Sequence, residues 1–156
     1  MYVLSSKKGS RDNSFYCSFV EGWFVLDPVI GNIFTKKNEM RFHSLPPFVP
    51  SGSHFEASKQ LFQELGFTIR WDGGDYVGFE NNDCRFILQK FDNKEFAENF
   101  MVTVGVSNAD EFRKEVMEKQ LPEKFGIRIG NVSEMPYGRE VNIIDMAGVC
   151  WHFVEQ

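Results

Sequence analysis

A strand, an amphipathic helix and three short strands, read twice in the same order, predict an α+β fold: two tandem βαβββ modules forming a cupped mixed sheet with helices outside. Three observations lead to it. Phe55, Ser58, Phe62 and Leu65 share one face of a helix that Gly66 ends. Short segments of strand character follow, separated by the tight turns DGGD and NND. The same succession then starts again after Phe100.

The first module opens on MRFHSLPPFV, residues 40–49, an extended stretch in which Pro46 and Pro47 limit pairing and suggest an edge or a strand end. Ser53 with Glu56 three positions later is a capping-box signature for the helix that follows. FTIRW, YVGFE and CRFILQKF then read as a three-stranded meander, because Gly73 and Gly74 supply the positive φ that a tight hairpin needs. In the second module FMVTVGV is a strand, and Asn108 can cap a helix running through Gln120. Phe112 and Val116 keep one apolar face of that helix, and Glu115 with Lys119 is a favourable i,i+4 pair. GIRIGNV, REVNIID and GVCWHFVE complete the module, separated by the PYG and MAG turns. Module one spans residues 40–92 and module two residues 99–156. Two such open modules curl naturally into a shared cup with a pocket inside. Trp71 and Trp151 are expected in the core, and alternation sets Trp151 on the opposite strand face from Cys150 and His152.

A length of 156 residues is room for one ordinary domain with an appendage. A hydrophobic content of 42%, with 17 Phe and 3 Trp, is enough to build a real core and excludes a largely disordered chain. The net charge of -5, with no concentrated basic face, excludes a nucleic-acid partner. Cys17, Cys84 and Cys150 are odd in number and lack CxxC spacing, so neither a disulfide framework nor a zinc ribbon is indicated, and reduced thiols of a cytoplasmic protein fit. No segment reaches the roughly 18 consecutive apolar residues of a membrane helix. Residues 1–39 read differently from the rest, polar first and then apolar without sustained periodicity. They form an N-terminal extension, either an arm that docks on the domain or a partner, or a tail, with Met40 as a natural beginning.

VPSGSHFEASKQLFQELGF and MPYGREVNIIDMAGVCWHFVE resemble the opening and closing segments of the vicinal-oxygen-chelate superfamily, which comprises glyoxalases, bleomycin resistance proteins and dioxygenases. The resemblance covers Met40 to Glu155. It rests on the LFxELGF helix end, the Pro-x-Gly-Arg-Glu turn before a strand and the Asp-x-x-Gly turn between the last two strands. Met146 stands where the family commonly has proline, but Gly148 remains available for positive φ.

Metal-dependent members of that family carry ligands at four places on the concave sheet. Traced onto this sequence, these places fall at His152, near Ser44 with His43 adjacent, near Met101, and at Ile87 to Gln89, where only Gln89 could ligate. The set is short of good ligands for an open-position divalent ion. The resemblance therefore points to the bleomycin-resistance branch, whose members bind and sequester a ligand by stacking and shape. Tyr137 occupies a place where relatives often carry tryptophan at the cleft rim, with Arg139 nearby for an acidic group. Cys150 shares the pocket face with His152, but side chains at i and i+2 stand about 6.5 to 7 Å apart at the backbone, which argues against a dependable hydrogen bond. No third orienting group is evident, so Cys150 reads as a small core cysteine beside the pocket.

The leading reading is a small-molecule binding or sequestering protein without a metal centre, with Tyr137, Arg139, Cys150 and His152 as ligand-binding residues. The alternative is a lyase, isomerase or dioxygenase dependent on a divalent metal (Zn, Ni, Mn or Fe), with His152, Gln89 and His43 as ligands. A third reading is a structural or regulatory protein that keeps the fold but has lost its pocket. A homodimer is the expectation from the resemblance and from the general prevalence of two-fold symmetry.

Overall fold

In the computed structural model, which describes residues 40–156, the first strand β1 is only Phe48–Pro50. The expected N-terminal extension of residues 1–39, with Cys17, lies outside the described residues. The strand starts eight residues later than the sequence pattern suggests because Pro46 and Pro47 have no N–H to donate to a ladder. Pro47 enters only through its carbonyl, which accepts from the Ile87 N–H at 2.9 Å. Helix α1, Phe55–Glu64, follows. The expected Ser53 capping box does not form: His54 is the N-cap residue, and its carbonyl accepts from the Ser58 N–H at 2.8 Å. Glu56 turns outward to pair with Lys59 at 3.1 Å. Phe55, Ser58, Leu61 and Phe62 are buried.

β2 (Thr68–Asp72), β3 (Tyr76–Asn81) and β4 (Cys84–Gln89) form the expected meander, and β1 adds in parallel to β4, giving a sheet of order β1-β4-β3-β2. Of the two glycines in DGGD only Gly74 has positive φ, at 87°, and its N–H donates to Asp72 at 2.9 Å. A short helix α2, Lys94–Glu98, capped by Asn93, was not evident in the sequence. The second module repeats the plan with β5 (Met101–Val106), α3 (Ala109–Glu118), α4 (Leu121–Phe125), β6 (Arg128–Ile129), β7 (Ser133–Met135), β8 (Gly138–Ile144) and β9 (Cys150–Glu155). Its sheet has the order β5-β9-β8-β6, with β7 also paired to β8. In both sheets the first strand lies parallel to the last and the others run antiparallel. The duplication read in the sequence is thus a duplication of topology. Asn108 caps α3 by accepting from the Glu111 N–H at 2.9 Å, and Lys119 meets Glu115 at 2.7 Å.

Each sheet buries one face against helices. Phe112 of α3 stacks on Phe153 of β9 at 4.1 Å between ring centroids, and Phe62 of α1 packs on Phe86 of β4 at 4.7 Å. The two modules meet at Trp151, whose ring centroid lies 5.0 Å from Phe62 and 5.2 Å from Phe86. Trp151 is 2% exposed, as expected of a core residue, but Trp71 is 44% exposed. The cause is a bulge in β2: Ile69 pairs with Phe79 and Trp71 with Gly78, so the strand changes phase between them. Trp71 consequently leaves the Phe79 side and lies flat over Gly78, where a Cβ would overlap its indole.

The Asp145–Val149 turn joins β8 to β9. Asp145 Oδ1 accepts from the N–H groups of Ala147, Gly148 and Val149 at 2.9 to 3.0 Å, and Oδ2 accepts from Trp151 Nε1 at 2.9 Å. Gly148 adopts φ 104°, so Met146 in place of proline leaves the turn intact. Burial pushes the Asp145 carboxyl upward, against the four hydrogen bonds that favour its charged form. A carboxyl whose folded-state pKa is raised adds most to stability below its unfolded pKa, and loses that contribution as pH rises through the folded value. Asp145→Asn is therefore expected to flatten stability over that window, while its Nδ2, itself a donor, faces the Trp151 Nε1–H and costs about 1 to 3 kcal/mol. Urea unfolding of both proteins across acidic pH checks this, and parallel pH profiles would contradict it.

Candidate functional site

Alternation along β8 and β9 puts Val141, Ile143, Trp151 and Phe153 on the helix side, all at most 2% exposed. Glu140, Asn142, Cys150 and His152 therefore face the opposite, open side of the second sheet. Asn142 is directly across from His152 in the antiparallel register. Glu140 is nonetheless buried, because β7 pairs beside it, with Ser133 opposite Glu140.

These side chains form one connected network. His152 Nδ1 lies 3.3 Å from Glu140 Oε2, and His152 Nε2 lies 3.4 Å from Cys150 Sγ. The Tyr137 hydroxyl donates to the same Glu140 Oε2 at 3.1 Å, and Asn142 Nδ2 donates to Oε1 at 3.4 Å. A carboxylate accepts only, so Glu140 places the imidazole proton on Nδ1 and leaves Nε2 to accept from the thiol. Cys150 and His152 are therefore hydrogen-bonded, contrary to what their i, i+2 spacing predicts. The backbone spacing across i and i+2 is bridged because the imidazole, anchored at Nδ1, leans along the strand toward the thiol. A third orienting group also exists, and it is Glu140. Its signal was present in REVNII, where Glu140 and Asn142 alternate with Val141 and Ile143, but its burial depends on β7, which the sequence did not reveal.

Burial raises the Cys150 pKa, and the neighbouring charges of Glu140 and Asp145 add to the effect, so the resting form is the thiol. Asn142 Oδ1 is buried without a donor among the described residues.

The other residues singled out in the sequence lie elsewhere. Arg139 points to the helix side, where its guanidinium meets Asp110, Glu134 at 3.0 Å and Glu155 at 3.6 Å. Its charge is already matched by three carboxylates at the junction of β8, β9 and α3, so it is not placed to take an acidic ligand group on the open face. His43 precedes β1, is exposed, and lies in no strand. Gln89 ends β4 in the first sheet, with Nε2 3.5 Å from the Tyr76 hydroxyl. Met101 starts β5 on the open face and offers only a thioether. His152 has both ring nitrogens engaged, by Glu140 and Cys150. Among the described residues no three His, Cys, Asp or Glu side chains are grouped to hold a metal ion. His152 lies in β9, Gln89 at the end of β4 and His43 before β1.

The first sheet also has an open face. Phe48, Trp71 and Tyr76 are 52%, 44% and 41% exposed on it, with Phe48 edge-on to Tyr76 at 6.0 Å. Beside them Arg70 and Arg85 bracket Glu80 at 2.7 and 3.4 Å, so the lining of that depression sets two cations against one carboxylate. Tyr137, at the rim of the second sheet, is 60% exposed. Its phenol is held above the ordinary tyrosine range by local desolvation and by the hydrogen bond to Glu140. Glu140→Gln should move that ionisation to lower pH. Absorbance titration near the phenolate band, with Tyr137→Phe to assign the signal, checks this, and an unmoved titration would show that Glu140 does not govern the hydroxyl.

No protein-family model matches the sequence, and no curated protein matches it. Solved structures do. The bleomycin-binding protein of Streptomyces verticillus, complexed with copper(II)-bleomycin, superposes with a TM-score of 0.63 at 21% identity, over 76% of this chain and 99% of that one. An antibiotic-binding protein from Streptomyces sp. CB03234 gives 0.58 at 14% identity, over 75% and 98%. A lactoylglutathione lyase from Agrobacterium tumefaciens gives 0.54 at 15% identity, over 72% and 92%. In two βαβββ modules with the helices outside the sheets, the described domain has the fold of the glyoxalase and bleomycin-resistance proteins.

Proposed function

We propose that this chain binds and sequesters a small planar molecule, without a metal centre, on the open face of its second sheet. The observation that carries the reading is the composition of that face: an exposed Tyr137 ring at the rim beside a polar floor of half-buried Cys150, His152 and Asn142, held in place by buried Glu140. Recognition sites combine an aromatic platform with a few fixed polar groups in this way. The likeness to bleomycin-binding and antibiotic-binding proteins supports the same reading, and the mismatch of His152, Gln89 and His43 to a divalent ion weighs against the metal-dependent one. Among the described residues no helix is long and apolar enough to cross a membrane.

A second copy of the chain completes the site in this proposal. Phe48, Trp71 and Tyr76 on the first open face, and Met101, 69% exposed on the second, form apolar surface that association of two chains would cover. Sedimentation of the full chain should give twice the monomer mass, with Trp71→Asp shifting it toward the monomer. A monomer at all accessible concentrations would remove the two-chain site.

Binding itself is read from thermal shift. Bleomycin and a panel of planar heteroaromatic compounds should include ligands that shift the melting temperature saturably, and Tyr137→Ala should weaken them by about tenfold, the value of one aromatic contact near 1.4 kcal/mol. No saturable response to any planar compound would refute the sequestering reading.

A further inference from the structure

Cys150, His152 and Glu140 are joined in a chain that can do more than hold a ligand. The thiol faces a ring nitrogen at 3.4 Å, the opposite ring nitrogen faces a buried carboxylate at 3.3 Å, and that carboxylate is fixed by Tyr137 and Asn142. Cys150 and His152 are half-buried, so a ligand on this face can reach both. A nucleophile beside a base that a third group orients is the arrangement by which proteins activate weak nucleophiles.

The surroundings narrow the chemistry. Attack on an ester or amide develops an oxyanion that needs N–H donors aimed at it. Here the Cys150 N–H donates to the Phe100 carbonyl at 3.1 Å, and β9 is paired on both sides, by β5 and by β8. The nearby backbone donors are committed to the sheet. Addition to an electron-poor alkene makes a smaller demand, because the negative charge spreads into the electrophile's own carbonyl.

We propose that Cys150 is a base-assisted nucleophile that captures α,β-unsaturated carbonyl compounds covalently, with His152 taking its proton. This inference rests on the reading of the same face as the ligand face and adds a covalent step to it. Sγ forms a bond to the β-carbon, the C=C π pair moves onto the α-carbon and carbonyl oxygen, and the thiol proton passes to His152 Nε2. The imidazolium then returns that proton to the α-carbon. The net change is addition of S–H across the double bond, with no oxidant or reductant.

The buried thiol sharpens the test. Without help from the imidazole, Cys150 is held in its protonated form and should react more slowly than Cys84, a half-buried cysteine at the start of β4. With that help it should react faster. The full chain is treated with N-ethylmaleimide at neutral pH, and labelling of each cysteine is followed by peptide mass spectrometry. The expected result is labelling of Cys150 at least about tenfold faster than Cys84, lost by about tenfold or more in both His152→Ala and His152→Gln, consistent with a general base. Added imidazole should restore part of the rate in His152→Ala, and Cys84 should be unchanged throughout as the measure of an intact fold. Cys150 slower than Cys84 in the unaltered chain would overturn the inference, as would a loss in His152→Ala that His152→Gln does not show. Protection of Cys150 by a non-electrophilic planar ligand reports on the binding reading separately, whichever way the labelling falls.

Discussion

The indole of Trp151 is the contact on which the domain turns. It packs against Phe62 of the first module's helix and Phe86 of the first module's sheet, and its Nε1–H donates to Asp145. One side chain thereby joins the two modules, fixes the turn before its own strand and determines which way that strand faces. A buried aromatic of this size contributes roughly 3 to 5 kcal/mol when compared with alanine, a large fraction of a domain's net stability. The polar edge of the ring is matched within the same turn, so the burial leaves no unsatisfied donor.

Because a strand alternates, fixing Trp151 inward fixes Cys150 and His152 outward. The site is therefore a consequence of core packing and does not depend on loop placement. β8 responds in the same way: Val141 and Ile143 go inward beside Trp151 and Phe153, and Glu140 and Asn142 turn to the open face. What converts four polar side chains into a relay is β7. By pairing with β8 it covers Glu140, and a covered carboxylate must be hydrogen-bonded, which Tyr137, His152 and Asn142 accomplish together.

Much of this was legible in the sequence, and the gaps have physical reasons. The helical face Phe55, Ser58, Phe62, the turns at Gly74 and Gly148, the Asn108 cap and the inward Trp151 all depend on local rules of period and φ, and they hold. What escaped depends on neighbours distant in sequence. The bulge that turns Trp71 outward is a property of the β2 and β3 pair. The late start of β1 depends on two prolines that have no N–H to donate to a partner strand, and Ser53 loses the cap to His54 because the chain enters the helix one residue later. Arg139 was read as a ligand group because its place in the turn was visible, whereas Asp110 on another helix, which claims it, was not. The Cys150–His152 contact was discounted on backbone spacing alone. Side chains that lean along a strand can cross that distance when a carboxylate two strand positions away anchors the far end of the ring.

His152 stands at the position to which the sequence resemblance assigns a metal ligand, and its present partners bear on that expectation. A ligating imidazole keeps one nitrogen for the ion and gives the other to a carboxylate. Glu140 supplies the carboxylate here, so half of the requirement is met. The free nitrogen, however, faces a thiol on its own strand, and the strand that would add a further ligand begins with Met101. His43 lies outside any strand. The buried carboxylate orients the imidazole toward a sulfur on its own strand, and in the proposed capture that ring moves a proton from the thiol.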